Sequence, residues 1–152
     1  MMQIDEWAAK KNLENTPSSA AEIRELLQLA DQKIADCVTI SATAVSPDTY
    51  HEIVYMAALP CCSAVLRASG YRTHSDVKGG HDILIQCLSF TLDLKLEYVK
   101  ALQAARIERR KTAYDSVSGM DKNTVDALLK KVRGLRAAVE KWIRDKHPEL
   151  LT

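Results

Sequence analysis

Residues 46–71, SPDTYHEIVYMAALPCCSAVLRASGY, decide the fold class of this chain. Ser46 is a favourable helix N-cap, and Pro47 suits the first helical position. Gly70 can adopt the left-handed conformation that ends many helices. The segment between them is too apolar for a surface helix, so we interpret it as a helix that forms the core or a dimer face. Pro60 lies inside this helix and predicts a kink or a split there.

Helical periodicity continues on both sides of this segment, with a predicted buried stripe from Ile23 to Val38 before it and one that includes Leu128 and Trp142 after it. Ser18 or Ser19 can cap a long helix that ends near Ser41, and Pro148 follows the last helical pattern. No segment alternates strictly between apolar and polar residues, as a half-buried strand would. The sequence therefore predicts an all-α, antiparallel up-and-down helical bundle of four to five main helices. The other predicted helices cover residues 4–12, 82–90, a segment ending at Tyr114, and 124–146.

The predicted organisation is a single helical domain over residues 1–152. Within it, residues 1–16 form a short lead helix and linker, and residues 17–147 form the bundle. A chain of this length can bury a true core.

Composition excludes several classes of protein. Hydrophobic residues make up 47% and charged residues 27%, with a net charge of +1, which excludes a strongly basic nucleic-acid coat but allows a local basic patch. No apolar run approaches the roughly 20 residues that span a bilayer. The N-terminus does not read as a signal peptide. We therefore expect a cytoplasmic protein that does not enter a membrane.

The four cysteines show no metal-ligand spacing, because Cys61 and Cys62 are adjacent and no CxxC pair is present. Each lies among Ala, Leu, Val and Ile. We expect buried, reduced thiols, and we expect neither a metal nor a cofactor.

An arginine-rich helix end, ARIERRKTAYDS at residues 105–116, carries the most distinctive chemistry. With Val99 as reference, the apolar stripe of this helix continues into Arg106 and Arg110, with Tyr114 at its edge and Arg109 slightly to the other side. An inward arginine needs a partner. One interpretation pairs Arg106 with a carboxylate of a neighbouring helix. The other is a phosphate site, since the guanidinium fork matches phosphate geometry. The candidate carboxylates are Asp31, Asp36 and Glu52.

Four scattered segments resemble those of one known family. They are the N-terminal run at residues 4–37, AVLRASGYRT at 64–73, GGHD at 79–82 and RIERRKTAYD at 106–115. In these segments the chain resembles the HEPN domain superfamily, the helical domains of many prokaryotic toxin–antitoxin and defence systems.

The resemblance implies a homodimeric bundle, and for many members a metal-independent endoribonuclease. In that family an arginine and a histidine four to six residues later meet their copies in a dimer cleft. Arg109 matches the motif arginine, but Tyr114 occupies the histidine position. The ordinary pKa of tyrosine lies about three units above neutrality, so Tyr114 is a poor general base.

Three functions therefore remain open. The first is a degenerate module that binds nucleotide or RNA phosphate through Arg106, Arg109 and Arg110. The second is an active endoribonuclease in which Arg109 acts with Tyr114 or His81. The third is an interaction module that holds a homodimer or a partner such as an antitoxin. Auxiliary residues expected near the site are His81, Tyr71, Arg72 and Asp115.

Overall fold

A computed structural model shows an all-α helical bundle. It describes residues 3–74, 79–91, 96–114 and 120–152, and for residues 112–114 it describes the backbone alone. Over these residues no helix combines the length and the apolar character needed to cross a membrane. The elements are α1 (Ile4–Lys10), β1 (Glu14–Asn15), α2 (Ala20–Ser41), α3 (Pro47–Ala68), β2 (Tyr71–Arg72), α4 (Gly80–Gln86), α5 (Leu88–Thr91), α6 (Leu96–Tyr114), α7 (Lys122–Lys146) and a final 3₁₀ turn (Pro148–Leu151).

Side-chain caps set the starts of the long helices. The hydroxyl of Ser19 accepts the backbone N–H of Glu22 at the start of α2, and Ser46 accepts that of Thr49 at the start of α3. Each cap satisfies a backbone donor that has no partner within the helix. Gly70 follows α3 with a φ of 91°, as predicted.

Pro60 does not divide α3. The helix runs without interruption from Pro47 to Ala68, so the predicted split is wrong. All residues from Ala57 to Cys62 are buried, which means that α3 is surrounded by neighbours at this level. Packing on every side outweighs the one backbone hydrogen bond that a proline removes.

Helix α3 lies at the centre of the bundle and packs against α2, α4, α6 and α7. Contacts between helix ends give the directions: α2 and α6 run antiparallel to α3, whereas α7 runs parallel to it. The direction therefore alternates through α2, α3, α6 and α7, and the predicted up-and-down bundle is confirmed. The contacts are Arg67 to Glu22, Arg109 to Glu52 and Tyr50 to Asp126.

The core confirms the predicted stripes with small shifts of register. Leu129 and Ile143 of α7 are buried, whereas the neighbouring Leu128 and Trp142, which the periodicity favoured, are only partly buried. Val38 of α2 is 44% exposed, so its predicted burial is wrong. The four cysteines are free and buried, as predicted.

A two-residue antiparallel pair was not predicted. Glu14 pairs with Arg72, and Asn15 pairs with Tyr71. Two residues are too few to show an alternating pattern, so only the approach of the two segments in space reveals this pairing.

Arg67 connects these segments. Its guanidinium is buried and donates to the carbonyl oxygens of Thr16, Pro17 and Tyr71 at 2.9–3.0 Å. Its Nε donates to the Glu22 carboxylate at 2.7 Å. One side chain therefore joins the end of α3, the start of α2 and both strands of the small pair.

We expect Arg67→Met to destabilise the fold by about 3 kcal/mol or more, because it removes the partner of Glu22 and leaves the buried carbonyl of Tyr71 without its donor. Urea unfolding monitored by circular dichroism measures this change. Arg133→Met, at an exposed position of α7, is the matched control and should change stability by less than about 0.5 kcal/mol. Equal effects of the two variants would contradict the proposed role of Arg67.

Acid should weaken the same contact. The hydrogen bond from Arg67 lowers the pKa of Glu22 below its ordinary value of 4.5. Since the folded state holds this proton less tightly than the unfolded state, the stabilisation is present above pH 4.5 and is lost as the pH falls through the lowered pKa. The free energies of unfolding of wild type and Glu22→Gln should therefore be similar in acid, and that of wild type should be higher near neutral pH. Glu25→Gln, at an exposed position of α2, should run parallel to wild type at every pH.

Candidate functional site

The inner face of α6 ends in Arg109. Leu102 and Ala105 are buried, and Arg109 lies only about 20° round the helix from Leu102. Arg110 lies about 80° from the same reference and is exposed, and it makes no hydrogen bond or ion pair with a residue that the structure describes. The prediction that Arg110 faces inward with Arg106 is therefore wrong. Its cause is the choice of Val99, which is only half-buried, as the centre of the stripe.

Arg109 is held by α3. Its Nε donates to Oε2 of Glu52 at 2.6 Å, and its guanidinium lies 5.6 Å from the ring centre of Tyr55. The hydrogen bond to Glu52 raises the pKa of Arg109. Glu52 was one of the carboxylates expected opposite the arginines, but it pairs with Arg109 and not with Arg106.

Arg106 faces α4. Its Nε donates to Gln103 at 2.9 Å, and the amide of Gln103 donates to Asp82 at 2.7 Å. The guanidinium of Arg106 also lies 4.0 Å from the Asp82 carboxylate. The predicted alternative partner Asp31 instead pairs with Arg136 of α7.

His81, an expected auxiliary residue, lies in the same cluster. Its Nδ1 shares a hydrogen bond of 3.2 Å with the hydroxyl of Tyr55, the ring over which Arg109 lies. Burial lowers the pKa of His81, and the charges of Arg109 and Arg106 lower it further. We refer to Glu52, Tyr55, His81, Asp82, Gln103, Arg106 and Arg109 as the arginine cluster.

The hydrogen bond to Tyr55 sets the tautomer of His81. Burial raises the pKa of Tyr55 to about 12, so its hydroxyl remains protonated. That buried hydroxyl needs an acceptor, and Nδ1 of His81 is its only hydrogen-bond partner among the described residues. The proton of the neutral imidazole therefore lies on Nε2. His81 can thus donate a hydrogen bond from Nε2 to an anion.

Two expected auxiliary residues lie elsewhere. The hydroxyl of Tyr71 donates to Asp5 of α1, and Arg72 pairs with Glu22 of α2. Both residues belong to β2 and support the contacts of Arg67, so they are not part of the arginine cluster. The side chain of Tyr114 and the whole of Asp115 lie outside the described residues.

Sequence reasoning missed Tyr55, Asp82 and Gln103. Tyr55 lies in an apolar run that reads as core, and Asp82 and Gln103 look like solvated polar residues. Only the approach of α3, α4 and α6 brings them together. In the described ranges no group of three or more His, Cys, Asp or Glu side chains could hold a metal ion.

Comparison with known proteins gives no matching family model and no matching curated sequence.

Removing the Tyr55 hydroxyl should raise the pKa of His81, because a donor to Nδ1 stabilises the neutral ring. Imidazole ¹⁵N shifts should report the Nε2–H form of His81 in wild type. In Tyr55→Phe, His81 should titrate at a higher pH and should populate both neutral tautomers. Tyr98→Phe removes a hydroxyl that lies beside Gly134 of α7 and should leave the His81 titration unchanged. A Nδ1–H form in wild type would contradict the assigned tautomer.

Proposed function

We propose that this chain is an HEPN-like helical module that binds the phosphate of RNA or of a nucleotide at the arginine cluster. One observation carries this proposal: Arg109 lies over the ring of Tyr55, whose hydroxyl bonds to His81, so an imidazole and an arginine fork meet in one cluster. Fixed N–H donors beside arginine forks suit a phosphate group.

The cluster is partly open to solvent. The side chains of Arg106 and Arg109 are 24% and 35% exposed, and their carboxylate partners are similarly accessible. Glu52 offsets the charge of Arg109, and Asp82 offsets that of Arg106. Arg110 therefore supplies the excess positive charge at this helix end. A phosphate would first meet Arg110 and would then compete with the two carboxylates for the inner arginines. This arrangement suits a single phosphate better than a long backbone groove.

The proposal includes a homodimer, because the HEPN resemblance implies that two arginine clusters meet in one cleft. It also includes a cytoplasmic location and, as the partner in a toxin–antitoxin pair, an antitoxin protein. A second copy would double the number of donors that a single RNA strand meets.

Arg110→Gln should weaken binding of a short labelled single-stranded RNA by about tenfold, because one charge-assisted phosphate contact is lost. Fluorescence anisotropy measures the affinity. The slope of log K against log salt should fall by about 0.7, the value for one phosphate contact on a single strand. Arg110 is the residue of choice because its exposed side chain contributes little to the fold.

Lys100→Gln is the matched control, since it removes one exposed positive charge from the same helix. It should leave both the affinity and the salt slope close to the wild-type values. Absence of RNA and nucleotide binding by the wild type at low salt would overturn the proposed function. Equal losses in the two variants would show that binding is non-specific and not located at the arginine cluster.

A metal-independent endoribonuclease is the second candidate, and the position of His81 favours it. Cleavage through the 2′-hydroxyl needs a group that titrates near neutrality, which histidine provides and tyrosine does not. Only the protonated ring of His81 could protonate the leaving oxygen, because loss of a proton from the neutral ring would leave an imidazolate.

Labelled RNA incubated with wild type in the presence of a chelator should therefore be cleaved if this candidate is correct. His81→Gln should then lower the rate by at least about a hundredfold, the usual contribution of general acid–base catalysis. His74→Gln serves as the control. RNA that stays intact with wild type would exclude the nuclease and leave phosphate binding as the function.

A further inference from the structure

His51 is a buried histidine without a hydrogen-bond partner among the described residues. It lies in the first turns of α3 and is 5% exposed. Buried polar groups are normally paired, so each exception needs an explanation.

His51 lines a cavity between α6 and α7. The cavity has a volume of about 470 Å³, which lies in the range of small-molecule sites. His51 lines it together with residues that are mostly small or apolar. On the α6 side the small alanine side chains leave space for a ligand, and on the α7 side longer apolar side chains form the wall. These residues are Ala101, Ala104, Ala105, Met120 and Leu128.

The charge around this cavity is negative. Glu108 lines it directly, and the three charges that act on His51 are the carboxylates of Glu108, Glu52 and Asp48. Burial has the larger effect and lowers the pKa of His51, so the ring is neutral and offers one donor and one acceptor nitrogen. Glu52 is already paired with Arg109, whereas Glu108 lines the cavity, is 39% exposed and lies 4.0 Å from Lys111 in a pair that water screens.

We propose that this cavity binds a small molecule with an apolar body of about the size of one aromatic ring and a protonated amine. The apolar body lies against the alanines, Met120 and Leu128. The ammonium group donates to the acceptor nitrogen of His51 and pairs with Glu108. An anionic head group is disfavoured because the carboxylate of Glu108 lines the cavity.

The amine cavity and the arginine cluster lie on opposite sides of α6. Ala105 separates them on the helix surface, since Ala101 and Glu108 lie to one side of it and Arg106 to the other. Glu52 connects the two sites, because it pairs with Arg109 and its charge also acts on His51. Variants of Ala101 and Glu108 test the amine site alone, since neither residue belongs to the arginine cluster.

Three probes of matched shape test the proposal. Benzylamine, benzyl alcohol and benzoate share the same ring and differ in the charge of the head group. Titrations followed by the methyl resonances of Ala101 and Met120 should show binding at the cavity. Benzylamine should bind at least about tenfold more tightly than benzoate, with benzyl alcohol between them, because Glu108 attracts one head group and repels the other.

Two variants locate the site. Ala101→Leu fills the cavity and should abolish benzylamine binding, whereas Ala137→Leu, which adds the same bulk at an exposed position of α7, should not. Glu108→Gln should remove most of the preference for the amine while benzyl alcohol binding persists. Circular dichroism of each variant confirms that the bundle remains folded.

Benzoate binding as tightly as benzylamine would overturn the proposal, and so would unchanged benzylamine binding by a folded Ala101→Leu. Sedimentation of wild type and Ala101→Leu tests the alternative occupant, a second copy of the chain. A loss of dimer in Ala101→Leu, without amine binding to wild type, would assign the cavity to a protein interface and would likewise overturn the amine site.

Discussion

The buried guanidinium of Arg67 is the constraint on which the arrangement of the bundle depends. It donates hydrogen bonds to the carbonyls of Thr16, Pro17 and Tyr71 and to the carboxylate of Glu22. A charge buried this deeply is tolerated only when its donors are satisfied. These hydrogen bonds hold the end of α3 beside the start of α2. The two helices must therefore pack antiparallel.

The arginine cluster uses the same chemistry under different solvation. Arg67 is 6% exposed at its side chain, whereas Arg109 is 35% exposed and its partner Glu52 is 43% exposed. Ion pairs that water can reach contribute only about 0–1 kcal/mol to folding. Exchange of such a carboxylate for a phosphate therefore costs the fold little. This difference explains why a ligand is proposed at Arg109 and not at Arg67, although both carry the same guanidinium group.

Helix α6 separates two environments of opposite preference. On the side of α4, N–H donors of Arg106 and His81 suit an anion, and on the side of α7, Glu108 and a neutral His51 suit a cation. Its weakly amphipathic sequence reflects this division, because polar groups occupy positions that an ordinary bundle helix would fill with leucine. The two proposed ligands differ in charge for this reason.

The sequence by itself determined the all-α fold class and the residues that cap α3. Caps such as Ser46 and the left-handed Gly70 act within a few residues, so local sequence is enough to specify them. The tertiary structure alone decided which face of α6 turns inward, because a shift of one residue rotates a side chain by about 100° and neighbouring helices select the register. It also decided that His81 meets Tyr55 and that His51 lines a cavity. These contacts join helices far apart in the chain, and their free energy comes from packing that no local pattern records.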